Sequence, residues 1–340
     1  MPKTALITGI TGQDGCYIAG ILLKNGWKVC GTRRRGSSIN NWRLVSEGID
    51  DRIHWVDMDL MESTNVRHTL ERINPSAIYN LAAMSFVGTS FEQPAYTHHV
   101  NCLGVIHLIE AIKSIGLDCK FYQASTSEMY GGSFGQSSCE DTPMNPRSPY
   151  AISKLAAYHT VRNFRMQGGF GVNGILFNHE SKYRGVEFVT RKICVGLARY
   201  NLTKIPILLG NVHAERDWGH AYDYMLGAYQ MMEHHTPEDW VLATGVKWSV
   251  KEFFDRAAYY LDHKTFWSSD DKLCYDDSTG EILAMVSEQF WRPLEVDTLQ
   301  GDAARAKEVL GWVDAHSFDD LVKEMAFAEK VRAYRGTPIQ

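Results

Sequence analysis

A glycine-rich segment directly after a short apolar run constrains the fold of this chain more than any other feature. The apolar residues 4–7 lead to Thr8, and Gly9, Gly12 and Gly15 follow. In this spacing the first glycine permits a tight turn, the second lets backbone approach a pyrophosphate, and the third lets a helix pack on the strand. The start of that helix offers free N–H groups to a phosphate. The segment predicts a dinucleotide-binding loop, whose other members are Thr11, Gln13 and Asp14; a structural turn without ligand is the alternative.

The first 130 residues alternate between strand and helix patterns. Short apolar runs predict strands at 4–7, 27–32, 53–56, 77–81 and 120–124, and helical spacing predicts helices at 15–25, 65–73 and 100–115. Strands separated by helices require crossover connections and therefore a parallel sheet. The predicted fold class is α/β, a doubly wound parallel Rossmann sheet, with a smaller and mostly helical C-terminal domain.

The second half of the chain differs from the first in composition and pattern. It carries more charge and tryptophan, lacks a second glycine fingerprint, and predicts amphipathic helices at 250–261 and 317–334. The polar stretch 263–280 is typical of a solvated loop or hairpin. We expect one domain over residues 1–175 and a second over 176–340, with a segment at about 210–245 that returns to the first. A cleft between them would hold the substrate.

The end of the second predicted strand indicates which cofactor binds. An acidic residue there would favour NAD, but the chain carries Arg33, Arg34 and Arg35, followed by Ser37. Guanidinium groups bind a 2′-phosphate bidentately, so the prediction is NADP, with a solvated basic loop as the alternative. Two further strand ends should border the cofactor: Asp59 and Leu60 beside the adenine, and Leu81, Ala82 and Ala83 beside the nicotinamide ribose.

A tyrosine and a lysine four residues apart are candidates for proton transfer. Tyr150 and Lys154 lie on one face of a helix that begins after Pro149, where the ammonium can lower the pKa of the phenol. The spacing alone is weak evidence, because Tyr200/Lys204 and Tyr260/Lys264 share it. Only Tyr150 follows the fifth strand by about 25 residues, where a helix would pass under the nicotinamide. Its position after the fifth strand therefore favours Tyr150/Lys154 over the other two pairs.

A hydroxyl and a carboxylate stand at the end of the fifth strand. Thr126 and Glu128 are two residues apart, so both can face a ligand in the crevice where doubly wound sheets place their chemistry. Thr126 would hydrogen-bond the oxygen that is oxidised, and Glu128 would move a proton. The alternative is a turn or a helix cap.

The charge and cysteine content of the chain exclude several classes of protein. Lys and Arg total 35 against 40 Asp and Glu, a net charge of −5, so no overall basic field recruits nucleic acid or an anionic membrane. No apolar run reaches signal-peptide or membrane-spanning length. The seven cysteines are scattered without a C-x-x-C pair, and no histidine has metal-ligand spacing, so we expect a cytoplasmic protein without a metal.

These patterns resemble the extended short-chain dehydrogenase/reductase superfamily, whose members modify nucleotide-activated sugars. Within it, the chain is most similar to the GDP-mannose 4,6-dehydratase family. The segments that carry this likeness span nearly the whole chain: ALITGITGQDG (5–15), RRGSSINNWR (34–43), FYQASTSEMYG (121–131), RSPYAISKL (147–155), NGILFNHES (173–181), FVTRKI (188–193), RDWGHAYDY (216–224) and RPLEVDTLQGDAARAKEVLGW (292–312).

The resemblance implies a reaction. Tyr150 would take the proton from the hydroxyl on carbon 4 while hydride passes to NADP, and Glu128 would remove the proton on carbon 5. Water would leave from carbon 6, and the hydride would return there. Related glucose-nucleotide dehydratases have an aspartate before this glutamate; here Ser127 stands there, which implies that Glu128 serves as both base and acid.

The resemblance also implies binding residues. Those for the GDP-sugar are Ser85, Thr126, Ser127, Glu128, Asn178, Val189, Lys192, Gly210, Arg216, Arg292 and Glu295. Those on the cofactor side include Ser85, Tyr96, His179 and Arg184. The segment 34–43 resembles a loop that reaches the NADP of a neighbouring subunit, which implies a tetramer, with a dimer as the alternative.

The chain departs from the family pattern at a few positions, and two rival functions stay open. Met84, Phe86, Lys182, Tyr183 and Tyr222 differ from the usual family residues. One rival is a nucleotide-sugar 4-epimerase or 4-reductase, which needs no base at carbon 5. The other is a non-catalytic NADP-binding protein on the same fold.

Overall fold

The computed structural model describes residues 3–36, 40–132, 135–291 and 294–337. The strands, in chain order, are β1 (Thr4–Thr8), β2 (Lys28–Arg33), β3 (His54–Asp57), β4 (Ala77–Asn80), β5 (Lys120–Thr126), β6 (Gly171–Leu176), β7 (Asn178–Glu180), β8 (Ile207–Leu209), β9 (Glu215–His220), β10 (Asp239–Leu242), β11 (Lys247–Ser249), β12 (Thr265–Trp267), β13 (Leu273–Asp276), β14 (Ile282–Val286) and β15 (Thr298–Leu299).

The helices connect these strands. They are α1 (Gln13–Lys24), α2 (Trp42–Ser46), α3 (Ser63–Ile73), α4 (Val87–Glu92), α5 (Pro94–His98), α6 (Gly104–Ser114), α7 (Pro149–Met166), α8 (Val189–Thr203), α9 (Ala221–Glu233), α10 (Val250–Tyr260), α11 (Ala304–Leu310) and α12 (Phe318–Tyr334). A π-helical turn, His99–Leu103, joins α5 to α6. No helix among the described residues is both long and apolar enough to cross a bilayer.

A seven-stranded parallel sheet organises the first half, in the order β10-β6-β5-β4-β1-β2-β3. The chain builds β1, β2 and β3 toward one edge and then returns to place β4, β5 and β6 on the other side of β1. The strand order therefore reverses between β1 and β4, and ligands bind at such a point, outside the carboxyl ends of the strands. The predicted α/β Rossmann fold class is confirmed.

Apolar layers cover both faces of this sheet. Helices α1 and α9 pack together on one face, and α3 and α6 pack together on the other. The helix α1 follows the expected pattern, since its buried side chains include Ile18, Ile21 and Leu22, and it ends at Asn25 and Gly26, whose φ is 77°. The long predicted helix at 100–115 differs: its first turn is π-helical, and α6 begins only at Gly104.

The second half contributes its own core and two small sheets. Helices α8, α10 and α12 pack around apolar residues such as Phe253, Phe254 and Leu321. One sheet has the order β11-β9-β15 with β7 also paired to β9, and the other has the order β12-β13-β14-β8. The sequence did not predict these sheets, although β12 and β13 form the hairpin expected within 263–280. The strand β10 lies in the large sheet and α9 packs on it, whereas β9 and β11 belong to a smaller sheet. The division at residue 175 therefore stays a prediction.

Candidate active site

The glycine loop lies at the switch point of the sheet. Gly9 has a φ of 68°, and a Cβ there would lie 2.8 Å from the backbone nitrogen of Ala82, so the loop and the segment after β4 approach closely. A Cβ on Gly15 would lie 2.4 Å from the Cα of Ile10. Gly12 precedes α1 in an extended conformation without a side-chain cap. The first N–H groups of α1 are therefore available to a phosphate.

Two buried side chains hold this loop in place. Gln13 donates from Nε2 to the carbonyl of His179 at 2.9 Å and accepts from the hydroxyl of Ser181 at 3.0 Å. Arg43, in α2, donates from Nη1 to the carbonyl of Thr11 at 2.9 Å. The side chain of Gln13 thus faces β7, and its contribution to a cofactor site is to hold the loop. Arg43 was not predicted as a site residue.

Asp14 and His179 form a buried pair beside the loop. The Nε2 atom of His179 lies 3.0 Å from a carboxylate oxygen of Asp14, and its Nδ1 lies 2.7 Å from the carbonyl oxygen of Phe177. The imidazole also stacks on Tyr224, with ring centroids 4.8 Å apart. Burial opposes the charge of Asp14, but His179 and Arg184 outweigh it and the pKa of Asp14 is lowered. Burial likewise opposes a charged His179, but Asp14 raises its pKa.

A chain of buried polar groups connects the strand ends. The hydroxyl of Thr8 donates to Asn80 at 2.6 Å and accepts from the backbone N–H groups of Leu81 and Ala82, each at 3.1 Å. Asn80 donates to Gln123 at 2.7 Å. These contacts fix the segment at 81–83, predicted to border the nicotinamide ribose, against β1 and β5.

The helix α7 carries the tyrosine and lysine selected from the sequence. It starts with a Ser148 cap and with Pro149 at its first position, as expected for a helix N-terminus. Lys154 is 3% exposed, and its Nζ donates to the carbonyl of Ala124 at 2.8 Å. It lies 5.9 Å from the centre of the Tyr150 ring. Burial lowers the pKa of Lys154 to about 8, and burial raises the pKa of Tyr150 to about 12.

Thr126 and Glu128 lie next to this pair. Thr126 ends β5, and its hydroxyl accepts from the backbone N–H of Glu128 at 3.3 Å, which caps the short 3₁₀ helix Ser127–Tyr130. The same side chain hydrogen-bonds Tyr150 and so opposes the rise in its pKa, whereas the negative charge of Glu128 adds to that rise. The four residues predicted to be catalytic are thus brought together. The predicted alternative for Thr126, a helix cap, also holds, because one side chain serves both contacts.

Asn101 is a residue of this site that was not predicted. It lies in the π-helical turn, is 1% exposed, and both accepts from the N–H of Met84 at 2.8 Å and donates to its carbonyl at 3.0 Å. It also donates to the hydroxyl of Ser153 at 3.1 Å, which donates to the carbonyl of Tyr150 at 2.7 Å. Asn101 therefore ties the segment after β4 to α7. The available signal was an asparagine between apolar residues at the start of the predicted helix 100–115.

The adenine end of the proposed cofactor site is more open. Arg34 donates from Nη1 to the hydroxyl of Tyr96 at 2.8 Å, which joins two residues predicted for the cofactor. Arg35 is exposed. Asp59 accepts from the backbone N–H of Met61 at 3.0 Å, and the carbonyl of the buried Leu60 lies 2.7 Å from Nδ1 of His107. Ser37 lies outside the described residues.

Arg184, predicted for the cofactor side, pairs with the buried Glu180 at 3.0 Å and lies over the ring of Phe188, 3.5 Å from its centre. Lys192 and Arg216 are the cations predicted for the substrate side. The ammonium of Lys192 lies 3.7 Å from the centre of the Phe290 ring, and burial lowers its pKa. Phe290 also borders Gly210, where a Cβ would lie 3.0 Å from its carbonyl oxygen.

Arg216 belongs to the same side. Its Nη2 lies 3.7 Å from a carboxylate oxygen of Glu295, and its Nη1 donates to the carbonyl of Asp297 at 3.4 Å. Asn178 opens β7, which pairs with β9, the strand that carries Arg216, and Val189 opens α8. Ser85 is exposed in the segment after β4. Arg292 lies outside the described residues.

Two of the residues that depart from the family pattern, Lys182 and Tyr183, have a packing role. The hydroxyl of Tyr183 donates to Glu47 at 2.7 Å, and the ammonium of Lys182 lies 3.3 Å from the same carboxylate. Both contacts tie the segment after β7 to α2. These two departures are therefore explained by contacts on the side of α2 rather than by the proton-transfer residues.

The fold is a doubly wound parallel Rossmann sheet, with a group of polar and titratable side chains at its switch point. Among solved structures, the chain is similar to the UDP-glucose 4-epimerase of Thermus thermophilus in complex with NAD. The TM-score is 0.81 at 20% identity, over 96% of this chain and 99% of that one. At that identity the likeness concerns the fold.

The sequence comparisons are more specific. Residues 6–325 match the family described as GDP-mannose 4,6 dehydratase. The GDP-mannose 4,6-dehydratase of Sinorhizobium fredii is 44% identical over 348 residues, covering 98% of each chain. The GDP-mannose 4,6 dehydratase of Homo sapiens is 43% identical over 342 residues, covering 96% of this chain and 91% of the relative. The chain belongs to the GDP-mannose 4,6-dehydratase family, and the resemblance predicted from its sequence is confirmed.

Proposed function

We propose that the protein converts GDP-mannose to GDP-4-keto-6-deoxymannose and water by an internal hydride transfer from carbon 4 to carbon 6. The observation that carries the proposal is the grouping of Thr126, Glu128, Tyr150 and Lys154 at the end of β5, in a chain of this family. The proposed enzyme is a hydro-lyase, since one carbon–oxygen bond breaks and no net oxidation occurs.

The residues around the switch point fit a nicotinamide dinucleotide. The uncapped start of α1 suits the pyrophosphate, Gly12 presents no side chain there, and a carboxylate oxygen of Asp14 is buried without a hydrogen bond among the described residues. We propose NADP rather than NAD, because Arg34 and Arg35 follow β2 where NAD sites carry an acid. When bound, this group supplies the acceptor for the hydride of carbon 4 and returns it to carbon 6.

Tyr150 takes the proton of the hydroxyl on carbon 4 in this proposal. A phenol whose pKa is about 12 is a poor base near neutral pH, so the cation of Lys154 must act on it in the working complex. Lys154 is fixed by the carbonyl of Ala124 and therefore holds its charge at a constant place. Thr126, which hydrogen-bonds Tyr150, orients the same sugar oxygen.

Glu128 serves carbons 5 and 6. Once carbon 4 is a ketone, the proton on carbon 5 becomes acidic, and the carboxylate of Glu128 removes it. The carboxyl group formed in that step then donates its proton to the leaving hydroxyl on carbon 6, so that water departs. Ser127 is adjacent but its hydroxyl is a poor acid, which leaves both roles to one side chain.

The cations on the far side of the cleft suit the GDP portion. Arg216 and Lys192 would bind the two phosphates, and Glu295 would accept hydrogen bonds from the nucleoside. The further contacts that we propose are Ser85, Asn178, Val189, Gly210 and Arg292. His179, Arg184 and Tyr96 complete the cofactor side.

We further propose a cytoplasmic homotetramer. The seven cysteines, all of them described, form no disulfide, and five are buried, which suits a reducing compartment. The segment 34–43, in which Arg34 donates to the hydroxyl of Tyr96, is the proposed contact with a neighbouring subunit.

The experiment is an incubation of the purified protein with GDP-mannose, without added reductant, followed by mass spectrometry. We expect the product to lack one water molecule while total NADPH stays constant. Unchanged mass would contradict the assignment. A product of unchanged mass but altered configuration at carbon 4 would instead indicate an epimerase.

A further inference from the structure

Three arginines hold the segment that connects β7 to α8. Each donates to a different one of three consecutive backbone carbonyls: Arg332 to Lys182 at 3.0 Å, Arg43 to Tyr183 at 2.6 Å, and Arg191 to Arg184 at 2.6 Å. Their guanidinium groups also lie around the ring of Trp42, between 4.5 and 5.4 Å from its centre. Because residues 182–184 lie between β7 and α8, their carbonyls need donors from other elements, and the three arginines are those donors.

Arg43 also reaches the glycine loop. Its Nη1 donates to the carbonyl of Thr11 at 2.9 Å, and the N–H of the same peptide unit, which belongs to Gly12, donates to the carbonyl of Gly9 at 3.0 Å. Both ends of the peptide unit between Thr11 and Gly12 are therefore fixed. The hydrogen bonds of Arg332 go instead to the carbonyl of Lys182 and to Glu329.

The peptide unit held by Arg43 lies directly before α1, whose N-cap residue is Gly12. A phosphate at a helix start is attracted by N–H groups and repelled by the partial negative charge of carbonyl oxygens. The guanidinium of Arg43 keeps the Thr11 carbonyl in one orientation and compensates its partial charge. Arg43 is 8% exposed, and burial and the charge of Arg191 lower its pKa to about 10, so it stays charged at neutral pH.

We propose that Arg43 is a positioning residue for the pyrophosphate of the cofactor, and that it acts by holding the Thr11 carbonyl rather than by contact with the ligand. The inference rests on the proposed function only in that a nicotinamide dinucleotide binds the glycine loop. It assigns part of the cofactor affinity to α2, an element outside the glycine fingerprint. It also assigns that contribution to the pyrophosphate, which NAD and NADP share, and not to the 2′-phosphate.

The test is calorimetric titration of the nucleotide-free protein with NADP⁺, with NAD⁺ and with GDP. Arg43→Lys keeps the charge but loses the planar group that reaches two carbonyls at once. We expect the dissociation constants of NADP⁺ and NAD⁺ to rise together by about tenfold, the cost of one charged hydrogen bond, while the constant of GDP stays unchanged. The matched control is Arg332→Lys, the same substitution beside the same Trp42 ring. It should leave all three constants unchanged, because Arg332 binds the carbonyl of Lys182 instead of the glycine loop.

Three results of these titrations would overturn the inference while leaving the proposed reaction intact. The first is an equal loss of NADP⁺ affinity in the two variants. The second is a loss confined to NADP⁺, since this would place the effect at the 2′-phosphate. The third is an equal loss of GDP affinity in Arg43→Lys, since this would indicate a general disturbance of the fold. If the wild-type protein bound neither dinucleotide, the inference and the proposed function would both be wrong.

Hydrogen exchange of the wild-type protein is a second measurement, which does not depend on the folding of a variant. Saturating NAD⁺, which lacks the 2′-phosphate, should slow exchange in peptides that cover α2 as well as in those that cover the glycine loop, because Arg43 joins the two. Peptides that cover α10 are the control and should not change. Protection of the glycine loop without protection of α2 would overturn the inference.

Discussion

The two sides of the cleft are built differently. On the cofactor side, buried hydrogen bonds join neighbouring elements: Thr8 of β1 donates to Asn80 of β4, and Lys154 of α7 donates to the carbonyl of Ala124 in β5. On the substrate side, cations from separate elements contact the segment after β14. Lys192 contacts Phe290, and Arg216 contacts Glu295 and Asp297. Buried hydrogen bonds therefore fix the reacting groups, whereas ring contacts and an ion pair fix the groups proposed to bind GDP.

Substitutions on the two sides should therefore have different effects. A change on the cofactor side should affect chemistry or folding, because those groups are buried and mutually dependent. A change on the substrate side should affect substrate affinity alone.

Glu128→Gln should lower the rate of dehydration about 10³-fold or more, because the amide can neither remove the proton of carbon 5 nor donate one to the leaving hydroxyl. Carbon 4 should still be oxidised, so reduced nicotinamide should accumulate on the enzyme in a single turnover, visible by absorbance. Rapid dehydration by this variant would remove Glu128 from the mechanism.

Gly15→Ala should lower the free energy of unfolding by about 2–4 kcal/mol, because the new Cβ would lie 2.4 Å from the backbone of Ile10. Gly20→Ala, in the same helix, is the matched control. There the Cβ would meet only Cδ1 of Ile49, at 3.9 Å, so stability should rise by about 0.5–1 kcal/mol. Denaturant unfolding measures both; equal effects would show that the packing of α1 on its strand is not specific.

Lys154→Met should change how stability depends on pH. The pKa of Lys154 is about 8 in the folded protein against 10.5 for the ordinary side chain. Between these values the unfolded chain binds more protons, so the stability of the wild-type protein should rise with pH in this window, by at most about 3 kcal/mol. The variant lacks that rise and should be the more stable protein at pH 7, though inactive. Parallel denaturant titrations without nucleotide would show whether the two pH profiles differ.

Arg216→Lys should raise KM for the GDP-sugar about tenfold and leave kcat and NADP affinity nearly unchanged, because a planar guanidinium is lost at a site proposed to bind phosphate. Arg256→Lys is the control, since Arg256 pairs with Asp319 on the surface with about half of each side chain exposed. Steady-state kinetics measure both. A fall in kcat with constant KM would place Arg216 in the chemistry and erase the separation between the two sides.

The same contrast explains what the sequence could predict. The loop after β1, the parallel sheet and the pair Tyr150/Lys154 follow from local patterns and from position along the chain. The role of Asn101 could not be predicted from the sequence, because it depends on a π-helical turn that places this residue between the segment after β4 and α7. Arg43 binds the carbonyl of Thr11 across 32 residues, a contact without a local pattern.

The substrate side could be predicted only through the family resemblance. Lys192, Arg216 and Glu295 carry no spacing that distinguishes them from the other charged residues of the sequence, and only folding brings Arg216 to Glu295. Asp14 could be predicted in part. Its position in the glycine loop was predicted, but its pairing with His179 joins residues separated by 165 positions.

The central claim is that hydride leaves carbon 4 and returns to carbon 6 within one active site. GDP-mannose carrying deuterium on carbon 4 tests it directly, with the product analysed by mass spectrometry and NMR. The account predicts a product that lacks one water molecule, retains the deuterium on carbon 6, and forms without net change in NADPH. A dehydrated product that has lost the deuterium, or a sugar that keeps its carbon-6 hydroxyl, would contradict it.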